Sequence, residues 1–152
     1  FALLGIAKWL TIPDKPIRLE DYKKAWFYDL NTGKLFVAES DQIPPIEAPS
    51  GPLPNGRPAG VKAYVLSYVY DPNESERFIG FLETTDPKRQ SDSSRMVDTN
   101  AGSAKQWGKD KLICKVKYKH WVPANSRQGR AIVEEAFIPN ENGERPHYCW
   151  PK

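Results

Sequence analysis

The chain has 152 residues, with 22 Lys and Arg against 19 Asp and Glu for a net charge of +3. That length suits one hydrophobic core rather than two, and so small a positive excess argues against a dedicated nucleic-acid binder. Fourteen prolines, ten glycines and 12% aromatic residues are the composition of turns, extended segments and aromatic packing, which argues against a helical bundle.

The chain opens with FALLGIAKWL, an apolar run carrying Phe1, Leu3, Leu4 and Ile6 that leaves through Lys8 and Trp9. Alone it is too short to cross a bilayer, which takes about 20 residues. A Lys–Trp exit is nevertheless how a membrane helix meets the headgroups, although an ordinary amphipathic or core segment reads the same way. The stretch from Thr11 to Tyr22, TIPDKPIRLEDY, has two prolines and little periodicity, which suits a spacer. The stub by itself reads rather as the ordinary segment; residues 1–22 are thus a stub plus extended linker, and 23–152 a single domain.

KAWFYDL and KLFVA flank NTG, where Asn31 and Gly33 supply a tight reversal, so Trp26–Leu30 and Lys34–Ala38 are predicted to form a β-hairpin. Between Ile43 and Gly60 stand Pro44, Pro45, Pro49, Pro52, Pro54 and Pro58, which withhold backbone donors from any ladder and make this a long loop. As an exposed arm it would offer Pro44, Pro45, Pro49, Pro52 and Pro54 to a partner's aromatic groove. Ile43, Ile46 and Leu53 point the other way, toward a loop folded back over its own sheet.

GVKAYVLSYVY places Val61, Ala63, Val65 and Val69 on one face and Tyr64, Leu66, Tyr68 and Tyr70 on the other, the mark of a central strand. DPNE is a turn, since the Gly and twelfth-position Glu of a calcium loop are missing. RFIGFLE is read as a strand, because Gly80 at its centre costs a helix about 1 kcal/mol relative to Ala. Asp86 to Gly108 is polar and is expected to be a loop. KLICKVKYKHWV alternates, with Lys115, Lys117 and Lys119 on one face and Cys114, Val116, Tyr118 and His120 on the other, as a half-buried strand does. PANSRQGRAIVEEAF predicts a helix from Ser126 to Phe137, capped by Asn125 with Gln128.

No nucleophile elbow, phosphate loop or metalloprotease signature occurs, and no cofactor or small-molecule substrate is indicated. Cys114 and Cys149 lack the partners of a structural zinc site; the pair alone leaves a disulfide and two separate thiols equally open. If the chain were a small enzyme or ligand-binding protein, its pocket would be built from His120, Asp71, Glu135 and Tyr118. The lysine face would take an acidic partner or an anionic polymer, or would simply keep an edge wet.

Three blocks, WFYDLNTGKLFVAESDQIPPIEAPSG, AGVKAYVLSYVYDPNESERFIGFLE and HWVPANSRQGRAIV, resemble in the same order a group of uncharacterised, N-terminally membrane-anchored envelope proteins of planctomycete bacteria. They cover most of Trp26 to Val133. Many members carry a Cys-x-x-Cys near the turn after the central strand, where this chain has SYVYDPNE. The resemblance implies that Phe1 to Leu10 ends a membrane helix, with Trp9 at the membrane face. It also implies that Cys114 and Cys149 form a disulfide outside the cytoplasm. The expectation is thus an α+β, β-rich domain: an antiparallel sheet of hairpins with one C-terminal helix and long proline-rich and polar loops. It would be held on the periplasmic side of a membrane and touch other protein subunits through its prolines and lysines.

Overall fold

The computed structural model describes residues 23–88 and 110–152; the expected anchor end and spacer, and most of the polar stretch from Asp86 to Gly108, lie outside them. In the hairpin, β1 (Lys24–Asp29) pairs antiparallel with β2 (Leu35–Glu39), Trp26 facing Val37 and Phe27 facing Phe36. Gly33 closes the reversal at φ 73° with its N–H on the Asp29 carbonyl at 2.7 Å, a backbone that glycine adopts without a Cβ clash.

Apolar side chains on both faces put β3 (Gly60–Ser67) at the centre. It pairs with β1 along one edge and with β4 (Phe78–Thr85) along the other. The sheet continues through β5 (Lys111–Cys114) to β6 (Val122–Pro123), in the order β2-β1-β3-β4-β5-β6. β7 (His147–Tyr148) takes the upper part of β3, past the point where β1 leaves it. All these pairings are antiparallel. With α1 (Arg127–Ala136) packed on it, the chain is α+β and β-rich, as its pattern predicts.

Two apolar layers result. On one face Leu66, Phe81, Ile113 and Val122 are buried beneath Ile132, Val133, Ala136 and Phe137 of α1 and its end. On the other, Tyr28, Val61, Ala63, Val65, Leu82, Cys114 and Cys149 are sealed by Trp26, Ile79, Val116 and Trp121. Phe27, Phe81, Leu66 and Leu82 are among the most completely buried side chains, each stabilising the fold by about 1.5–3 kcal/mol.

Glycine sets how closely α1 approaches. The β3–β4 register shifts between Tyr64 and Val65, which leaves Gly80 as the extra residue of a bulge. A Cβ there would lie 2.8 Å from Leu66 Cδ1 and 3.0 Å from Ala136 Cβ. Gly80 therefore belongs in a strand, as predicted, and its packing reason is the helix above it.

Three expectations need correction. The strand predicted across Lys111 to Val122 breaks after Cys114: the N–H groups of Tyr118 and Lys119 return to the Lys115 carbonyl at 3.2 and 3.0 Å, and Lys119 takes φ 45°. The chain then reverses, so that β6 pairs back on β5. Val69 and Tyr70, placed on the central strand by alternation, lie beyond its end and are exposed. The helix cap is Ser126 rather than Asn125, its Oγ accepting from the Gly129 N–H at 3.0 Å while donating to the Pro123 carbonyl at 2.6 Å.

That cap draws the helix start onto the preceding turn, where a Cβ at Gly129 would sit 2.3 Å from the Pro123 oxygen. Alanine is the better helix former by about 1 kcal/mol. Gly129→Ala is nevertheless expected to lower unfolding stability by about 1–3 kcal/mol, as read by urea denaturation, because backbone must move to admit the methyl.

Candidate interaction surface

The residues that sequence reasoning assembled into a pocket do not share one. His120 and Tyr118 stand exposed around the turn after β5. Glu135 lies on α1 in an ion pair with Lys115, and Asp71 is ion-paired with Lys152. None of the four lines either of two concavities, one beside β2 and one under the proline-rich loop. Among the described residues no group of three or more His, Cys, Asp and Glu is placed to hold a metal. The lysine stripe is dispersed as well: Lys115 is paired, Lys117 lies 5.6 Å from the Tyr118 ring centroid, and Lys119 turns the backbone.

The proline segment is part scaffold. Pro44 is buried, and its carbonyl accepts the Thr85 N–H at 3.1 Å. The Pro44–Pro45 bond is cis, and Pro45, with Leu53 and Pro58, walls a cavity of about 220 Å³ against Val61, Leu112 and Trp121. Ile46 exchanges both backbone hydrogen bonds with Gly60 at 2.8 Å. Ile46 and Leu53 thus fold the loop back, Ile43 does not, and of the five prolines read as partner-binding only Pro49, Pro52 and Pro54 are exposed.

The buried polar groups secure loops. Asp29, at the end of β1, is buried. Its carboxylate accepts from Ser50 Oγ at 2.7 Å, the Ser50 N–H at 3.2 Å and the Asn31 N–H at 3.0 Å. Asn31 Nδ2 adds bonds to Ser50 Oγ and to the carbonyls of Gly51 and Pro52 at 3.0–3.2 Å. Burial alone raises the Asp29 pKa, but the donors from Ser50, Asn31 and Thr32 outweigh it and hold the carboxyl below its ordinary value of 3.8. Glu83, also buried, accepts from Tyr64 OH at 3.1 Å. Burial first, and then the Glu83 charge, push the Tyr64 phenol upward.

Cys114 and Cys149 are free, buried thiols, so the disulfide implied by the resemblance is not formed. The Cys149 N–H bonds the Val65 carbonyl on β3 while Cys114 pairs with Leu82 on β4. β3 and β4 therefore stand between them, three ladder spacings or roughly 14 Å, against the roughly 4.4–6.8 Å between Cα atoms that a disulfide takes. Burial pushes the Cys114 thiol up to about 12, and raises that of Cys149.

What the surface does gather is apolar. β3 ends, β4 begins, β5 ends and α1 ends at one end of the sheet, the end at which the chain arrives at Lys23. Of the seven exposed large hydrophobic side chains among the described residues, four stand in the loops at that end, Val69, Tyr70, Tyr118 and Ile138, while Trp150 is on the tail that runs back along β3. Tyr68 OH donates to the Ile138 carbonyl at 2.6 Å, Trp150 packs edge-on against Tyr148, and Lys152 meets Asp71. Sequence alternation had placed Val69 and Tyr70 inside a strand, and nothing in HYCWPK announced that the tail would pair with β3. No family model, curated protein or solved structure matches the chain.

Two measurements test this description. Because Asp29 is held below its ordinary value, its contribution to stability is complete above pH 4 or so and is lost as pH falls through the folded-state value. Asp29→Asn is therefore expected to lower the melting temperature at pH 7 and to narrow its deficit at pH 2–3. Iodoacetamide is expected to leave Cys114 and Cys149 unmodified in the folded chain and to label both in guanidinium without prior reduction; labelling only after reduction would establish a disulfide.

Proposed function

We propose that the chain is a non-catalytic structural or accessory subunit of an extracytoplasmic, membrane-associated protein assembly. One observation carries the reading: four exposed large apolar side chains, Val69, Tyr70, Tyr118 and Ile138, stand in the loops at the one end of the sheet where the chain arrives at Lys23. Singly scattered apolar residues are ordinary on a protein surface, whereas a collected set rimmed by polar groups is how contact surfaces are built. The loops at this end are mixed in charge, carrying exposed Arg145, Lys117 and Lys119 as well as Glu74, Glu76, Glu141 and Glu144, which suits a protein partner with both signs rather than a polyanion.

The membrane side of the proposal is supported by the apolar run Phe1 to Ala7 with its Lys8–Trp9 exit, and by the resemblance of the three blocks. No helix among the described residues is long and apolar enough to cross a membrane, so a tether would come from residues 1–10 and whatever precedes them. The extracytoplasmic placement does not require a disulfide, since buried, high-pKa thiols resist oxidation in any compartment.

Native mass spectrometry of the chain extracted from its source membrane is expected to find it bound to other subunits through at least about 1,000 Å² of interface. Replacing Tyr70 and Ile138 together by Ser should release those subunits and leave the melting temperature within about 1–2 °C of the parent, because both side chains are exposed. A chain that leaves the membrane alone, or a double variant that keeps its partners, would overturn the proposal.

A further inference from the structure

The two lateral edges of the sheet differ. β6 is two residues long and ends in Pro123, and a short strand with a proline is a blunted edge. β2, Leu-Phe-Val-Ala-Glu, is five residues long without proline or bulge, and among the described residues no strand pairs with its outer side. The Asp29 N–H meets the Lys34 carbonyl at 2.9 Å and the Ser40 N–H meets the Lys23 carbonyl at 2.6 Å. Phe36 and Ala38 therefore bond to β1, while Leu35, Val37 and Glu39 direct their backbone groups outward. The Glu39 carbonyl accepts the Gln42 N–H at 3.3 Å; the N–H and C=O groups of Leu35 and Val37 face away from the sheet. Alongside runs an open groove of about 600 Å³ lined by Phe36, Ala38, Ile46, Ala48 and Pro49. Val37, one of the exposed large hydrophobic side chains, is part of that lining.

We propose that β2 pairs antiparallel with β2 of a second copy of the chain, across a two-fold axis at Val37, joining two sheets edge to edge. The strand is complementary to itself in this register. Val37 faces Val37, each Phe36 faces the other copy's Ala38, and each Lys34 faces Ser40 beside the acidic Asp41. A large ring is thus set against a methyl, and a cation near a carboxylate, on both sides of the axis. Sliding by one pairing step would oppose Phe36 to Phe36, or Ala38 to Ala38, and lose that fit. An interface in which one patch meets its own copy is the commonest form of dimer. Five residues of edge bury less than the roughly 1,000 Å² a specific contact needs, so the groove walls beside β2 supply the remainder.

This deepens the interaction reading above by naming one partner, and rests on it only for the premise that the chain works by contact. The test uses the full chain, solubilised in detergent. Sedimentation velocity is expected to show a dimer that dissociates on dilution. Val37→Lys, which opposes two ammonium groups at the axis, should raise the dissociation constant about tenfold or more without changing the circular dichroism spectrum. In the paired strands the two Val37 Cα atoms lie roughly 5.5 Å apart, within disulfide range, whereas the two Lys34 Cα atoms lie on the order of 20 Å apart. Val37→Cys is accordingly expected to cross-link into a covalent dimer under copper phenanthroline, and Lys34→Cys to form no covalent dimer.

A monomer at every concentration, or equal cross-linking of the two cysteine variants, would sink the dimer. If that monomer still brings other subunits out of the membrane, the interaction reading survives and β2 is left to a foreign strand or to the chain's own residues 1–22. A dimer that comes out with no other subunit would leave the edge pairing standing and remove the accessory role.

Discussion

Everything in this fold is arranged around β3, a strand with no side that can face water. Val61, Ala63 and Val65 point to one face and Tyr64 and Leu66 to the other, and all but Tyr64 are buried. Both edges are hydrogen-bonded, one of them shared between β1 and β7. A strand of this kind needs cover on two sides. On one face a short helix provides it, brought close by Gly80 and Ala136. On the other, large side chains do so, with Arg77 stacked 5.1 Å from the Trp26 ring centroid above the layer that holds both cysteines.

The buried polar groups follow from that arrangement. A carboxylate inside a protein is tolerated only when donors replace its water. Asp29 finds them in the Ser50 loop, and Glu83 finds one in Tyr64 and stands opposite Lys62 in the ladder. Both carboxylates hold together segments that are distant in sequence. The seam where β1 gives way to β7 is less complete. Trp26 Nε1 and Tyr148 OH, on the strands that meet there, are buried and have no hydrogen-bond partner by distance and angle among the described residues, and burial raises the Tyr148 phenol despite the nearby Trp26 backbone. Changing partners along one edge of a strand leaves a place where neither neighbour can satisfy every polar atom.

What was legible in the sequence was local. The hairpin followed from Asn31 and Gly33 between apolar runs, β3 from its two apolar faces, β4 from Gly80, and the helix from its spacing. What misled was periodicity without regard to where the backbone bonds go. Lys115, Lys117 and Lys119 alternate as a strand would, yet the Lys115 carbonyl captures two N–H groups of its own turn and the strand ends at Cys114 instead of running to Val122. The cap fell to Ser126 because only its hydroxyl bonds both Pro123 and Gly129. The long-range elements carried no signal in one dimension: Asp29 with Ser50, β7 on β3, and the placing of Tyr70, Tyr118 and Ile138 in loops at one end of the sheet. They depend on which loops the sheet order brings together, and that order is fixed by pairings between segments tens of residues apart.

The two exposed apolar surfaces lie along different axes. The collected end faces along the strands and the β2 edge faces along the hydrogen bonds between them, so occupying one leaves the other open. A two-fold axis that pairs β2 with itself runs perpendicular to the sheet and points the two collected ends in opposite directions. Under the proposed tether, that geometry sets a requirement on the spacer. The 12 residues from Thr11 to Tyr22 reach about 40 Å at full extension, while the eight residues of β3 span about 27 Å. Both copies can therefore be held by one bilayer lying alongside the pair, with the two ends free to meet neighbours in the plane of the membrane. A spacer cut to half its length would reach only about 20 Å, less than one strand, and would force a choice between edge pairing and a common membrane.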